Sequence, residues 1–251
     1  MISNAFDNVC WCWLVLAMNC CALAANSDPL ANDERPLTLE ENLKRENVSP
    51  SQSSLLNALE HGRPEVRSLV ALKLGADRNK DSIPYLLKAL KSGQNLPANR
   101  LTLAYALAQF GVTEGIEALR QVCWGSEWSW NIKLSATNYL LELGDESCLE
   151  TVITAPHEAA DLEPLVQALE LLPRFRHVPP SVQPKLLAFI LTALESSSAG
   201  VRMSASDVLV RTGHHDISAI RSLKDAIARE RDRGVRWKMQ SDLLGLERAR
   251  E

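Results

Sequence analysis

Hydrophobic positions over most of the chain follow the 3.6-residue period of amphipathic helices, and these helices come in pairs. One helix is predicted over 64–75, with the aliphatic–basic pair Val66-Arg67 in its first turn and Gly75 at its end. The next helix begins at Asp81, a residue type that caps helix N-termini. The pattern therefore predicts short helices folded back on each other as hairpins.

A basic residue near the start of the second helix of each hairpin reveals the repeat. The basic residues are Arg67, Arg100, Lys133, Arg202 and Arg236. The steps between them are 33, 33, 69 and 34 residues, and the step of 69 is two repeats in which the basic residue is missing near Val166. A glycine lies eleven residues after three of these basic residues, namely Gly111 after Arg100, Gly144 after Lys133 and Gly213 after Arg202. A fixed period of this length indicates a helical repeat protein.

Six hairpins fit this period. Their predicted helices are 52–61 with 64–75, 81–92 with 97–110, 114–123 with 128–143, 146–156 with 162–175, 181–197 with 199–212, and 216–232 with 234–249. Each hairpin alone would leave an apolar face in water, whereas stacking buries these faces. The predicted fold is an all-α, right-handed α-solenoid with one continuous core.

The pattern resembles the HEAT-repeat family, and within it the HEAT-like repeats of phycobilin lyases. The segments that carry the resemblance are Pro64-Glu65-Val66-Arg67, Asp81-Ser82-Ile83-Pro84-Tyr85-Leu86, and Gly200-Val201-Arg202 with Gly213. It covers about 51–251. The resemblance implies an armadillo-like helical fold and a role in protein–protein interaction, but such repeats serve as scaffolds in many settings.

The sequence departs from the family pattern in two places. The fourth hairpin lacks the basic residue and has Pro173, Pro179 and Pro180 near its end, which predicts an irregular joint. The family often has an Asp in the inter-helix turn that pairs with the basic residue of a repeat. The matching positions here are His61, Gln94, Glu127 and Glu230, so an incomplete ladder of ion pairs is expected.

The N-terminal segment is apolar and uncharged from Val9 to Ala24. Sixteen residues are few for a membrane span but suit the hydrophobic region of a signal peptide, and Ala22-Leu23-Ala24 supplies a cleavage pattern before Ala25. No Lys or Arg precedes this segment, so an uncleaved anchor or a mis-assigned start codon remains the alternative. We expect a signal peptide at 1–24, a polar linker at 25–50 and the repeat domain at 51–251.

One short helix is predicted within the linker, from Thr38 to Arg45. Thr38 and Glu41 have the spacing of a capping box, and Leu39 and Leu43 lie four residues apart on one side.

The net charge of −4 argues against nucleic-acid binding by the chain as a whole. Residues 221–251 differ, because they contain nine Lys or Arg and six Asp or Glu. This basic end is interpreted as a solvated pair of end helices, or alternatively as a docking patch for an acidic partner.

Two sets of residues are candidate partner-binding sites. The five basic residues of the repeat would line an anion-binding groove, or each would order its own turn by hydrogen bonds to carbonyl groups. The second set is Trp124, Trp128 and Trp130, which crowd one turn at the solenoid edge, where exposed Trp often forms binding hot spots. The alternative is that two of these tryptophans pack against the hairpin core.

The remaining candidates are weaker. Cys123 and Cys148 are expected to lie too far apart for a disulfide, because they fall near opposite ends of two stacked parallel helices. His214, His215 and Asp216 are consecutive, and adjacent histidines in a turn seldom bind one metal ion together. His157-Glu158 lacks a second His at the spacing of metalloproteases. No cofactor and no metal are predicted.

These observations favour a non-catalytic, monomeric protein-binding scaffold outside the cytoplasm, periplasmic or secreted. The alternative, implied by the resemblance to phycobilin lyases, is an enzyme subunit.

Overall fold

The computed structural model describes residues 37–92, 96–156, 162–212 and 217–250, which form α-helices and no strands. The helices are α1 (Leu39–Arg45), α2 (Gln52–His61), α3 (Pro64–Ala76), α4 (Ile83–Lys91), α5 (Pro97–Gln109), α6 (Thr113–Trp124), α7 (Trp130–Glu142), α8 (Leu149–Val152), α9 (Glu163–Leu171), α10 (Gln183–Leu194), α11 (Ala199–Arg211), α12 (Ile217–Arg229) and α13 (Arg233–Arg250). After α1, ten helices pair into five of the six hairpins that the repeat predicts, whereas α8 and α9 of the fourth make little contact with each other. The second helices α3, α5, α7, α9, α11 and α13 pack against one another in that order. The all-α solenoid of helical hairpins is confirmed.

Glycines end two of the second helices as the sequence predicts. Gly111 and Gly144 have φ of 76° and 80°, a left-handed conformation that favours glycine. After α5, the amide of Val112 donates to the carbonyl of Leu107 at 3.1 Å and that of Gly111 to Ala108 at 2.8 Å. This pair of bonds satisfies carbonyls that the helix end would otherwise leave free.

The prediction that Gly75 ends its helix is wrong. Gly75 is buried inside α3, and a Cβ there would lie 3.0 Å from the Cα of Ala106 on α5. The missing side chain allows α3 and α5 to approach closely. The left-handed residue after α3 is Arg78, with φ of 51°.

The helix predicted in the linker is present. Thr38 and Glu41 form the capping box: the Glu41 amide donates to Thr38 Oγ1 at 3.2 Å, and the Thr38 amide donates to Glu41 Oε2 at 2.7 Å. Leu39 and Leu43 are buried, and α1 packs against α3. Residues 39–45 therefore extend the core of the first hairpin.

The core divides into two clusters, and not one continuous core as predicted. One cluster extends from α1 to α7 and includes Cys148, and the other extends from α7 to α13. The division falls at α7, whose residues enter both clusters, just before the fourth hairpin, where α8 has a single turn and α9 continues as a 3-10 turn, Leu172–Arg174, that contains Pro173. The irregular joint predicted from the prolines is confirmed, and the short α8 leaves little apolar surface to link the two clusters.

The expectation that Cys123 and Cys148 lie too far apart is also wrong. They form a disulfide, with Cα atoms 6.3 Å apart. Our expectation assumed a full-length first helix beginning near 146. Because α8 begins only at Leu149 and lasts one turn, it packs beside the end of α6, where Thr151 Oγ1 donates to the Cys123 carbonyl at 3.3 Å.

The disulfide is expected to stabilise this joint. It closes a segment with a sequence separation of 25 residues, and loss of such a crosslink costs about 2–4 kcal/mol in free energy of unfolding. Chemical denaturation with and without reductant would measure this, with Cys123→Ser as the control that should not respond to reductant. Equal stability of the oxidised and reduced wild-type protein would contradict the prediction.

Candidate interaction surface at the inter-helix turns

The turns between first and second helices share one edge of the solenoid, and the basic residues of the repeat have equivalent backbone positions there. Each is the fourth residue of its helix, with an amide that donates to the carbonyl of the residue before that helix. The acceptors are Arg63, Leu96, Ser129, Ser198 and Asp232 for Arg67, Arg100, Lys133, Arg202 and Arg236, at distances of 2.9–3.1 Å. The backbone thus reproduces the period seen in the sequence.

Arg202 joins its own turn to the next one. Its Nη1 donates to the carbonyls of Ser196 and Ser197 at 2.8 and 2.9 Å, while Nε and Nη2 donate to the two carboxylate oxygens of Glu230 at 2.6 and 3.0 Å. Arg236 Nε donates to the Glu230 carbonyl at 3.0 Å. At these two positions, the basic residues order the turns.

Glu230 is buried, and its charge is well compensated. Besides the bonds from Arg202, its Oε1 accepts the amides of Arg231 and Asp232, both at 2.9 Å. The bonds from Arg202, together with those amides, outweigh the effect of burial and lower the pKa of Glu230 to about 2. The same carboxylate raises the pKa of Arg202.

The other three basic residues are engaged differently. Among the described residues, the buried Nε atoms of Arg67 and Arg100 have no hydrogen-bond partner. Glu127, at the turn position that matches Glu230, is exposed and does not bond to Arg100. Lys133 Nζ lies 4.9 Å from the centre of the Trp130 ring. The ladder of ion pairs is therefore incomplete, and the Arg100 Nε–H has no acceptor among the described residues.

The three tryptophans separate into two environments. Trp128 is half-buried against the first core cluster and Trp130 against the second. Trp124, the last residue of α6, is 57% exposed. Of the three, only Trp124 presents a large apolar surface to a partner.

Leu96 belongs to the same edge, although the sequence did not single it out. It is 52% exposed and immediately precedes α5. Gly115 of α6 lies against Ala104, Leu107 and Ala108 of α5. Since α5 and α6 form an antiparallel pair, Trp124, nine residues after Gly115, lies level with the first turn of α5.

A shallow pocket of about 320 Å³ lies at this level between the second and third hairpins. Its lining includes Leu90, Ser92, Arg100, Glu117 and Gln121. The equivalent pocket between the fifth and sixth hairpins, about 250 Å³, includes Arg202 and Glu230. In the second pocket Arg202 pairs with the Glu230 carboxylate. In the first pocket Arg100 pairs with no described carboxylate. We name Leu96, Arg100 and Trp124 the turn-edge surface.

A family model described as HEAT repeats matches residues 53–140, which is the part of the chain from α2 to α7. The chain contains HEAT repeats. The turn-edge surface lies within this matched part. No curated protein matches the sequence.

Three solved structures are similar to this chain at low identity. An engineered protein is 16% identical with a TM-score of 0.50, over 78% of this chain and 96% of its own. The complex of CpcE and CpcF of phycocyanin lyase from Nostoc sp. is 16% identical with a TM-score of 0.43, over 86% of this chain and 80% of its own. Human deoxyhypusine hydroxylase in complex with glycerol is 16% identical with a TM-score of 0.29, over 84% of this chain and 96% of its own. At this identity the likeness to the engineered protein concerns the fold alone.

Several sequence candidates lie outside the described residues: the apolar segment at 1–24, His157-Glu158 and His214-His215-Asp216. Within the described ranges, no cluster of His, Cys, Asp and Glu is arranged to hold a metal ion. None of the described helices is both long and apolar enough to span a bilayer.

Proposed function

We propose that the protein is a non-catalytic scaffold that binds a protein partner at the turn-edge surface, in a compartment outside the cytoplasm. The exposure of Trp124 carries the proposal. A tryptophan with most of its surface in water, at the same edge as the exposed Leu96, supplies an apolar anchor of the kind that dominates binding energy at protein interfaces.

Arg100 adds a polar component to the proposed surface. Its buried Nε atom has no acceptor among the described residues, and its side chain lines the pocket between α4 and α6. The guanidinium lines an open pocket and pairs with no described carboxylate, so a partner that brings a carboxylate or carbonyl oxygen to this pocket would be favoured. Arg202 and Arg236, two other basic residues of the repeat, contribute less to binding, because they are already bonded within the fold.

Export is supported by the disulfide together with the N-terminal sequence. Disulfides persist in oxidising compartments and are rare in the cytosol. Cys123 and Cys148 form such a bond in the repeat domain, and the chain begins with a segment that has the composition of a signal peptide.

Trp124→Ala is expected to weaken partner capture by about tenfold or more, since truncation of a central interface tryptophan typically costs more than 2 kcal/mol. The measurement is affinity purification from the native host, with mass spectrometry of the bait and of the proteins that co-purify. Tyr85→Ala is the matched control, because Tyr85 is also an exposed aromatic residue but lies at the end of α4 away from the turn. Equal capture by the wild type and Trp124→Ala would contradict the proposed surface.

The same experiment tests export and the scaffold role. A bait that begins at Ala25, with Cys123 and Cys148 oxidised and an extracytoplasmic protein bound, is the expected result. An uncleaved bait with reduced cysteines and cytoplasmic proteins would contradict export. Bilin absorbance in the purified complex would favour the lyase-like alternative and contradict a purely non-catalytic scaffold.

A further inference from the structure

The last described helix, α13, exposes two large apolar residues, here called the strip, on one side. Trp237 is 71% exposed and Leu244 is 53% exposed. A separation of seven residues places them on the same side of the helix, two turns apart. Neither residue was singled out by the sequence pattern.

Two other sides of α13 pack against the rest of the protein. Val235, Met239 and Leu246 are buried in the core. A second side faces α11, where Lys238 bonds to Asp207 at 3.0 Å and Ser206 donates to Asp242 at 2.7 Å. At 100° per residue, the strip lies roughly 120° from this second side, so it forms the third side of the helix.

The same repeat position is buried in the first three hairpins. Trp237 comes directly after the basic residue Arg236, and the matching residues Ser68, Leu101 and Leu134 are 1%, 3% and 1% exposed. Ser68, for example, accepts a bond at 2.7 Å from Asn99 of the next hairpin. Met203, at this position on α11, is 37% exposed. No described residue covers Trp237 in this way.

Arginines flank the strip. Arg233 lies one turn before Trp237 and Arg248 one turn after Leu244, which places both on the same side of α13. On α12, the exposed Ile217 is followed one turn later by Arg221. The bond between Lys224 and Glu247, at 2.8 Å, shows that α12 runs beside this part of α13.

The three arginines are exposed and form no ion pair with another described residue, unlike Arg229, which pairs with Glu195. We name the set of Ile217, Arg221, Arg233, Trp237, Leu244 and Arg248 the C-terminal end surface.

We propose that the C-terminal end surface binds an acidic amphipathic helix of another protein, which packs along α13 as a further layer of the solenoid. A helix fits because the two apolar anchors are spaced by two helical turns, as in helix-in-groove recognition. An acidic helix fits because three unpaired arginines border the anchors. A second copy of this chain fits poorly, since it would bring the same arginines against each other. This surface is separate from the turn-edge surface, and its test does not depend on that proposal.

The test uses two stapled helical peptides matched in length to the 18 residues of α13. Both have the same leucine stripe, and their outer positions are glutamate in one peptide and lysine in the other. We expect the wild-type protein to bind the glutamate peptide at least about tenfold more tightly, with an affinity that falls as salt is raised. Trp237→Ala should weaken that binding by about tenfold or more, whereas Trp124→Ala should leave it unchanged. Fluorescence anisotropy of labelled peptides gives the affinities, and circular dichroism confirms that each variant is folded.

Three results would overturn this proposal. The first is equal affinity for the two peptides. The second is an unchanged affinity for the glutamate peptide in a folded Trp237→Ala variant. The third is a wild-type dimer in sedimentation velocity that becomes a monomer in Trp237→Ala, because the surface would then serve self-association.

Discussion

Glu230→Gln is expected to lower the free energy of unfolding by about 3–5 kcal/mol at pH 7, because it leaves the Arg202 guanidinium without its charged partner in a buried site. Glu230 is 6% exposed and accepts two bonds from Arg202 and two from backbone amides. Chemical denaturation at pH 7 measures the change. Glu195→Gln is the matched control. Glu195 also pairs with an arginine, Arg229, but both side chains are exposed, and exposed pairs contribute about 1 kcal/mol or less.

The pH dependence of stability gives a second measure of the same pair. The folded state lowers the pKa of Glu230 from 4.5 to about 2. A carboxylate with a lowered pKa contributes its stability above the unfolded pKa and loses it as the pH falls through the folded pKa. The wild type should therefore lose about 3 kcal/mol between pH 4.5 and pH 2 that Glu230→Gln does not lose. Parallel stability curves of the two proteins over this window would contradict the assigned pair.

Leu107→Ala is expected to cost about 3–5 kcal/mol, since it removes a fully buried side chain at the contact between α5 and α6. The site has little capacity to collapse. Gly115 of α6 lies directly against Leu107, and a Cβ added at Gly115 would lie only 2.8 Å from the Leu107 Cβ, so the two backbones are already close. The measurement is again chemical denaturation.

Leu244→Ala is the control for Leu107→Ala, because it makes the same substitution within a helix but at an exposed position. It should change the stability by about 0.5 kcal/mol or less. If Leu107→Ala were as stable as Leu244→Ala, the stacked hairpins would not share the buried interface described above.

The candidate surfaces were only partly predictable from the sequence. The crowding of three tryptophans at one turn marked the region that contains Trp124, but sequence spacing does not show which ring remains exposed. In the structure, Trp128 packs against the first core cluster and Trp130 against the second. Leu96 and Trp237 were not singled out, because an apolar residue in a helical pattern is ordinarily assigned to the core. A comparison of equivalent repeat positions would have marked Trp237, since the residues at that position in the first three hairpins are smaller.

The five basic residues of the repeat were also only partly predictable from the sequence. Its spacing in the sequence placed all five residues at the same point of their helices, because a helical repeat fixes backbone position. The contacts of each side chain differ: Arg202 bonds to Glu230 in the turn of the following hairpin, whereas Arg236 bonds to the Glu230 carbonyl in its own turn. Arg100 has a glutamate at the matching turn position, yet it forms no such bond, so side-chain geometry and not residue type decides the pairing.

The sequence by itself determined the helices, their pairing into hairpins and the stacking of the hairpins, because these follow from local hydrophobic periodicity, capping residues and a fixed repeat length. Only the tertiary structure decided the disulfide, the division of the core and the exposure of Trp124 and Trp237. Each of these depends on contacts between neighbouring hairpins. The single-turn α8 brought Cys148 beside Cys123, and the packing of α13 left Trp237 without the cover that the first three hairpins receive at this repeat position.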